Sequence, residues 1–352
     1  MKISFFLSFI LIISSLSAQQ SYYDNVDLTL SGIALKNELA NKITVTHTNN
    51  LSYTQVKAVL KIIDLDTINT SNVLLVYGFD DTDNDVTTDV TRDKNNFGGG
   101  VGQWNREHTY PKSLGTPNLG TSGPGADAHM LRASDVQRNG SRGSKKFTDG
   151  TGNSAIINSN FWYPGDEWKG DIARMMMYMY LRYGNQCLPI NVGEGVSVAI
   201  DQNMIELFLE WNAEDSVSSV ELERNNYLEN TSNTNGQGNR NPFIDNPYLA
   251  TRIWGGVDAE DTWDFYNVSI QEVDLSQYVS IYPNPSSENV SITVSNDVHL
   301  ETIVVYTMNG QIVRTIDAKE NSIISINDLE SGVYFIQTIL QEGIYTEQLI
   351  IE

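Results

Sequence analysis

The stretch WNREHTYPKSLG, residues 104–115, sets a carboxylate directly beside an imidazole, Glu107-His108. About twenty residues on, DAHMLRASDVQRNGSRGSKKF (127–147) adds Asp127, His129, the amide of Asn139 and five basic residues: Arg132, Arg138, Arg142, Lys145 and Lys146. An imidazole, a carboxylate, an amide and a basic patch suit the hydrolysis of a phosphodiester. That reaction needs a water made nucleophilic, neutralisation of charge on the phosphate, and help for the departing 3′-oxygen. A neutral histidine takes a proton from water near neutral pH. A hard cation such as Mg²⁺ takes one or two protein oxygens and fills its shell with water and phosphate, a role that suits Glu107 and the Asn139 carbonyl. Arginine steadies the developing charge.

Other chemistries lack their residues. The chain has no HExxH, no GxxxxGK[ST], no GxSxG and no paired CxxC, which removes zinc-protease, nucleotide-hydrolase, lipase-like and zinc-finger readings. Of four histidines, His47 and His299 stand in polar surroundings and read as surface residues; His129 reads as a support rather than a reacting group. The single cysteine, Cys187, reads as a small buried apolar residue, and one cysteine allows no internal disulfide. Adjacent strand residues point to opposite faces. Glu107 and His108 can therefore serve one site only where the strand ends or bulges, and the glycines before them, Gly98 to Gly100, permit an irregular approach.

The elements that must hold these groups are partly legible. Residues 1–18, with Lys2, an apolar run and Ser17-Ala18, have the form of a secretory signal peptide, and no later stretch is apolar enough for a stable membrane span. Ser31 precedes a helix with Leu35, Leu39 and Ile43 on one face; a second helix follows Ser52, then the strand-like run SNVLLVYGF. Asp81, Asp83 and Asp85 imitate the opening of a calcium loop, but Val86 and Arg92 stand where glycine and glutamate are needed, so a solvated acidic loop is expected. GDIARMMMYMYLRYG reads as a helix with a methionine-rich core face carrying Arg174 and Arg182, and MIELFLEWNAEDSVSSVELERNNYLE as a further helical region. Composition changes near residue 271, where strand patterns begin; Asn309-Gly310 marks a hairpin turn.

The net charge of −22 disfavours a nucleic-acid partner on average, yet residues 132–146 carry five basic residues against Asp135 alone, a local +4. The segment after Ser280 holds ten carboxylates and two basic residues.

The two motifs, with GDIARMMMYMYLRYG and GNRNPFIDNPYL, resemble the endonuclease I family of secreted, sequence-nonspecific nucleases in the ββα-metal (His-Me finger) superfamily; the resemblance covers roughly residues 22–267. It implies His108 as general base, Glu107 and Asn139 as ligands of one ion, usually Mg²⁺ with Mn²⁺ or Ca²⁺ as alternatives, and Asp127-Ala128-His129 as a second strand that orients the base. Asn139 then falls on the closing helix and Arg142 is the first candidate for a phosphate contact, with Arg132, Arg138, Lys145 and Lys146 behind it. Many secreted relatives are stapled by disulfides, and this chain is not. YPNPSSENVSI, ESGVYFIQ and the terminal EQLIIE resemble the C-terminal sorting domain of type IX secretion substrates. The expectation is thus an α+β protein: a signal peptide (1–18), a mixed helical nuclease domain containing a ββα-metal finger (19–270), a linker (271–279) and a small all-β immunoglobulin-like sandwich (280–352). It is expected to be a secreted or cell-surface monomer that cuts DNA and RNA and meets the type IX export machinery. Two alternatives stand beside it, a catalytically inactive surface nucleic-acid binder and a phosphodiesterase for small substrates.

Overall fold

The computed structural model describes residues 21–263, 265, 275–295, 298–317, 323–340 and 343–352. The expected signal, 1–18, and residues 271–274 of the expected linker lie outside them. The chain divides into two compact units, Met1–Asp264 and Phe265–Glu352. Helices dominate the first and strands the second. Among the described residues no helix is long and apolar enough to cross a membrane.

In the first unit, helix α1 (Gly32–Thr46) buries Leu35, Leu39 and Ile43 as their spacing predicts, although the Ser31 side chain makes no capping hydrogen bond. Helix α2 (Tyr53–Ile63) opens on a full capping box: Ser52 accepts from the Gln55 N–H while the Gln55 side chain accepts from the Ser52 N–H. The strand-like run SNVLLVYGF yields only β1 (Asn72–Leu74), paired antiparallel with β2 (Thr91–Asp93). Tyr77, a little further on, adopts a left-handed backbone, φ 75°. Between these strands the acidic loop spends its carboxylates on its own turns. Asp80 accepts from Thr82, Asp85 from Thr87, and Asp81 from the Val90 and Thr91 N–H groups.

Next come β3 (Trp104–His108), β4 (Leu131–Asp135) and helix α3 (Val136–Arg142). The two strands pair antiparallel in unbroken register, from Trp104 opposite Asp135 to His108 opposite Leu131. Asp135 ends β4 and caps α3, accepting from the N–H groups of Gln137 and Arg138. A small sheet of β5 (Lys146–Phe147), β6 (Ala155–Ile157) and β7 (Phe161–Tyr163) follows.

Helix α4 (Lys169–Tyr183) is buried from Gly170 to Leu181, methionines included, as a helix surrounded by others must be. Cys187 is buried just beyond it, and burial raises its thiol pKa. After the hairpin of β8 (Ser197–Val198) and β9 (Asp201–Ile205), the expected single helical region divides into α5 (Glu206–Glu214) and α6 (Ser219–Glu229). The break falls at Ser218, whose side chain forms a second capping box with Glu221. Helices α7 (Pro242–Asp245) and α8 (Tyr248–Trp254) complete the unit. Helices α1, α5 and α7 pack against α4, and α2 packs on β1, β4 and α6.

Buried charges tie these layers together. Asp64, at the end of α2, accepts the Ala133 N–H of β4 at 2.7 Å and pairs with Arg132 at 2.9 Å and with Arg224. Arg132 also reaches Asp171 of α4 at 2.7 Å, and Arg174 makes a two-pronged contact with Glu221 at 2.6 and 2.7 Å. Such pairs offset their own desolvation only when every partner is present.

The second unit contains a three-stranded sheet, β10 (Val279–Tyr282), β11 (Val290–Val294) and β14 (Ile323–Ile326), in the order β10-β11-β14. A four-stranded sheet follows the order β13-β12-β15-β16, from β12 (Leu300–Thr307), β13 (Ile312–Asp317), β15 (Gly332–Leu340) and β16 (Gly343–Ile351). All pairings within both sheets are antiparallel. Gly310, φ 78°, turns the β12–β13 hairpin where Asn309-Gly310 predicts it. Ile292, Ile303, Val305, Ile326 and Ile336 share one apolar core. Leu275 and Val279 belong to that core, so this end of the expected linker is part of the folded unit.

Candidate active site

Strand β3 carries Asn105 and Glu107 toward one face and Arg106 and His108 toward the other, by simple alternation. All four nevertheless line one cavity of about 410 Å³, together with Tyr53, Lys112, Ser113, Asn118, Asn139 and Ser144. The cavity must therefore run along the edge and end of β3, where both faces can be reached. The register shows no bulge, and β3 stops at His108. Of the two expected ways for the pair to share a site, the strand end is the one used.

His108 is oriented from the loop that joins β3 to β4. Its Nε2 lies 2.9 Å from the carbonyl oxygen of Gly125. A carbonyl only accepts, so Nε2 carries the proton and Nδ1 keeps its lone pair. Gly125 is required by close approach, since a Cβ there would sit 2.1 Å from the Gly120 carbonyl oxygen. Tyr53, set by the capping box of α2, stacks on the imidazole with centroids 5.4 Å apart and planes at 28°. Burial is the main influence that lowers the His108 pKa to about 4, with Lys112, Arg106 and Arg142 acting in the same direction. The imidazole is therefore neutral at physiological pH.

Glu107 is buried, and burial pushes its carboxyl up to about 7 although Arg142 opposes the shift. The Tyr77 hydroxyl donates to Glu107 Oε1 at 3.1 Å, and Arg142 Nη1 lies 3.5 Å from the same oxygen. Asn139, on α3, donates through Nδ2 to Asn105 Oδ1 at 2.7 Å and to the Arg106 carbonyl at 3.3 Å. Both donors of that amide are thereby directed at β3, and its Oδ1 is left for another partner. A buried carboxylate short of compensating charge and an amide oxygen without a donor are the groups a hard divalent cation takes, with water and phosphate completing its shell. The donor set fits such an ion. Among the described residues no cluster of three or more His, Cys, Asp or Glu is assembled for a metal.

Several expected roles change. Asp127-Ala128-His129 is a turn, and the second strand is Leu131–Asp135. Neither Asp127 nor His129 contacts His108. Asp127 instead accepts from Tyr178 and Tyr183, both at 2.8 Å, and from Gln237 at 3.0 Å; His129 Nε2 meets the Asn239 carbonyl at 3.1 Å. They fasten the loop two and four residues beyond Gly125, so any support they give His108 is indirect. His47, read as a surface residue, is buried with Nδ1 3.8 Å from Asp127.

The basic residues change most. Arg132 is fully buried between Asp64 and Asp171 and out of reach of a phosphate. Arg142 is also fully buried; it donates to the His108 and Thr109 carbonyls at 3.3 and 2.8 Å and flanks Glu107, which makes it a positioning residue. Arg138 turns to Ser154, Lys145 to the Ser141 carbonyl, and Lys146 to the Ile190 carbonyl and Glu194. Arg174 is committed to Glu221. Reading local sequence missed Tyr53, Tyr77, Arg106, Lys112 and Gly125. Only Arg106 and Lys112 had a local signal, as basic residues flanking Glu107-His108 in one short stretch.

Comparisons with known proteins agree in two parts. Residues 31–248 match the Endonuclease I family and residues 280–352 the secretion system C-terminal sorting domain. The chain is similar to an extracellular ribonuclease of Bacillus amyloliquefaciens, 42% identical over 234 residues, which is 64% of this chain and 75% of that protein. It is similar also to an extracellular ribonuclease of Bacillus subtilis strain 168, 40% identical over 244 residues, or 66% and 78% of the two chains.

Proposed function

The chain belongs to the endonuclease I family, and on that premise we propose that it is a metal-dependent, sequence-nonspecific endonuclease that hydrolyses RNA and DNA to 5′-phosphate ends. It is a secreted or cell-surface nuclease with a type IX sorting domain at its C-terminus. RNA as a substrate is supported by the two similar extracellular ribonucleases, and DNA by the family resemblance of WNREH and RNGSRG.

The observation that carries the chemistry is the 2.9 Å contact between His108 Nε2 and the Gly125 carbonyl, within a cavity that also receives Glu107 and Asn139. It leaves Nδ1 to take the proton of an attacking water. Glu107 and Asn139 would hold the cation, Mg²⁺ by the chemistry of the donors. Bound there, that ion supplies Lewis acidity at the phosphate and the leaving oxygen. Arg142 opposes the protonation of Glu107 and holds the backbone of His108 and Thr109. The succession β3, β4, α3 supports the ββα-metal reading, and the two antiparallel sheets of the second unit support the immunoglobulin-like one.

Plasmid DNA and single-stranded RNA incubated with protein and Mg²⁺ should both be cut, and chelator should stop the reaction. His108→Ala should lose roughly 10²- to 10⁴-fold in kcat, the usual contribution of a general base. Undiminished cleavage by that variant removes His108 from the role. Glu107→Gln should weaken Mg²⁺ binding measured by calorimetry as well as the rate; unchanged affinity sinks the ligand assignment.

A further inference from the structure

The cavity opens onto cations that the mechanism leaves unused. Arg106 lies over the Tyr53 ring, its guanidinium carbon 3.4 Å from the ring centre, and donates from Nη1 to the Tyr53 carbonyl. Its Nε is buried with no acceptor among the described residues. Lys112 approaches the same ring at 6.0 Å. Away from the cavity, Phe97 is flanked by Arg106 at 5.3 Å and by Lys57 at 5.0 Å. Lys61 follows Lys57 one turn along α2 on the same face, and its Nζ donates to Asn95 at 3.0 Å.

Lys112, Arg106, Lys57 and Lys61 thus form a row along the seam of β3 and α2, with Tyr53 and Phe97 set between them. None of the four pairs with a carboxylate among the described residues, whereas Arg92, Arg132, Arg142, Arg174, Arg224 and Arg240 all do. In a chain of net charge −22, four uncompensated cations leading out of one cavity call for an anionic partner. The ring faces are already occupied: Arg106 lies on Tyr53, and His108 stacks with the same ring. The rings therefore hold the cations in place, and the row meets a backbone of phosphates.

Building on the nuclease reading, we infer that the seam of α2 and β3 is a phosphate track that carries the nucleic-acid strand away from the scissile bond, through Arg106 and Lys112 and then Lys57 and Lys61. The track binds without regard to sequence, because phosphates carry none.

Fluorescence anisotropy in chelator, where no cleavage occurs, tests the track with single-stranded oligonucleotides of twelve and three nucleotides. The double variant Lys57→Gln, Lys61→Gln should bind the longer strand several-fold more weakly. The slope of log affinity against log salt should flatten by about 1.4, or about 0.7 for each phosphate of a single strand that is no longer neutralised. Binding of the trinucleotide should change by less than about twofold, since it ends before the distal lysines. Arg106→Lys keeps the charge but not the guanidinium over the ring, and should weaken both lengths alike. Lys145→Gln, Lys146→Gln is the rival path at the far end of α3. A loss there with none at Lys57 and Lys61, or an equal loss on both lengths for the Lys57 and Lys61 pair, overturns the track. Wild-type protein that cleaves both nucleic acids while its Lys57 and Lys61 variant binds normally overturns the track alone. Wild-type protein that cleaves neither overturns the nuclease reading beneath it.

Discussion

At the scale of single residues, the site depends on groups that keep Glu107 and His108 in place without reacting. Tyr77 is the clearest. It is fully buried and holds a positive φ of 75°, a conformation a bulky residue keeps only where its surroundings impose it. Its hydroxyl donates to one oxygen of Glu107, and on the proposed reading the other oxygen would be the one to meet the cation. Tyr77→Phe should raise the Mg²⁺ concentration needed for half-maximal binding by roughly tenfold, the usual effect of removing a hydrogen bond behind a ligand. Calorimetric titration checks it. His129 gives a stability prediction. Burial lowers its pKa from 6.5 to about 4, so the unfolded chain binds the proton more readily than the folded one. This group costs no stability above pH 6.5, and its cost grows as pH drops from 6.5 to 4, to roughly 3 kcal/mol at about 1.4 kcal/mol per pH unit. In His129→Gln the melting temperature should fall less between pH 7 and pH 4.5 than in the wild type.

The same scale explains what sequence could and could not tell. Glu107 and His108 are adjacent and Asn139 lies in a distinctive run, so all three stand out in the chain. Along the chain Arg132 and Arg142 belong to a basic patch. Their carboxylate partners, Asp64, Asp171 and Glu107, come from other elements, and counting charge along the chain does not see them. Tyr53, Tyr77 and Gly125 reach the site from three separate segments, each with an ordinary local sequence.

At the scale of elements, periodicity and caps were good guides where an element is long. Helices α1 and α2 begin directly after Ser31 and Ser52, although only Ser52 caps through its side chain. Short strands such as β1, three residues long, are settled by what packs on them, and an apolar run alone overstates them. The loop between β3 and β4 is an element in its own right, because it presents the carbonyl that fixes the tautomer of His108. Gly125→Ala must move that loop, since the new Cβ meets backbone at 2.1 Å. Activity should fall about tenfold or more if His108 is the base, since a base displaced by an ångström loses its reach. Circular dichroism should stay native, which separates this outcome from unfolding. Asp64→Asn should be costlier to the fold. It leaves Arg132 and Arg224 buried and undercompensated, at about 3–5 kcal/mol, and urea denaturation measures the loss.

At the scale of the whole molecule, the cavity beside Glu107 and His108 and the apolar core of the sheets belong to different units. Ile292 is wholly buried in the second unit. Ile292→Ala should destabilise that unit by about 2–5 kcal/mol, the usual cost of emptying a core site of this size. Scanning calorimetry of the full chain should show one transition moving and the other staying, with plasmid cleavage unchanged below both. A single transition that moves as a whole would mean that the units unfold together.

The buried Cys187 has a consequence for how this secreted or cell-surface protein comes to be folded. With one thiol in the chain, shut inside the helical unit, no cross-link has to be chosen, formed or corrected. Disulfide chemistry then asks for neither an oxidant nor a disulfide isomerase. Protein unfolded in urea and diluted should recover nuclease activity to the same yield with reductant or without it, an independence that suits a secreted or cell-surface protein whose redox conditions are set by the surroundings.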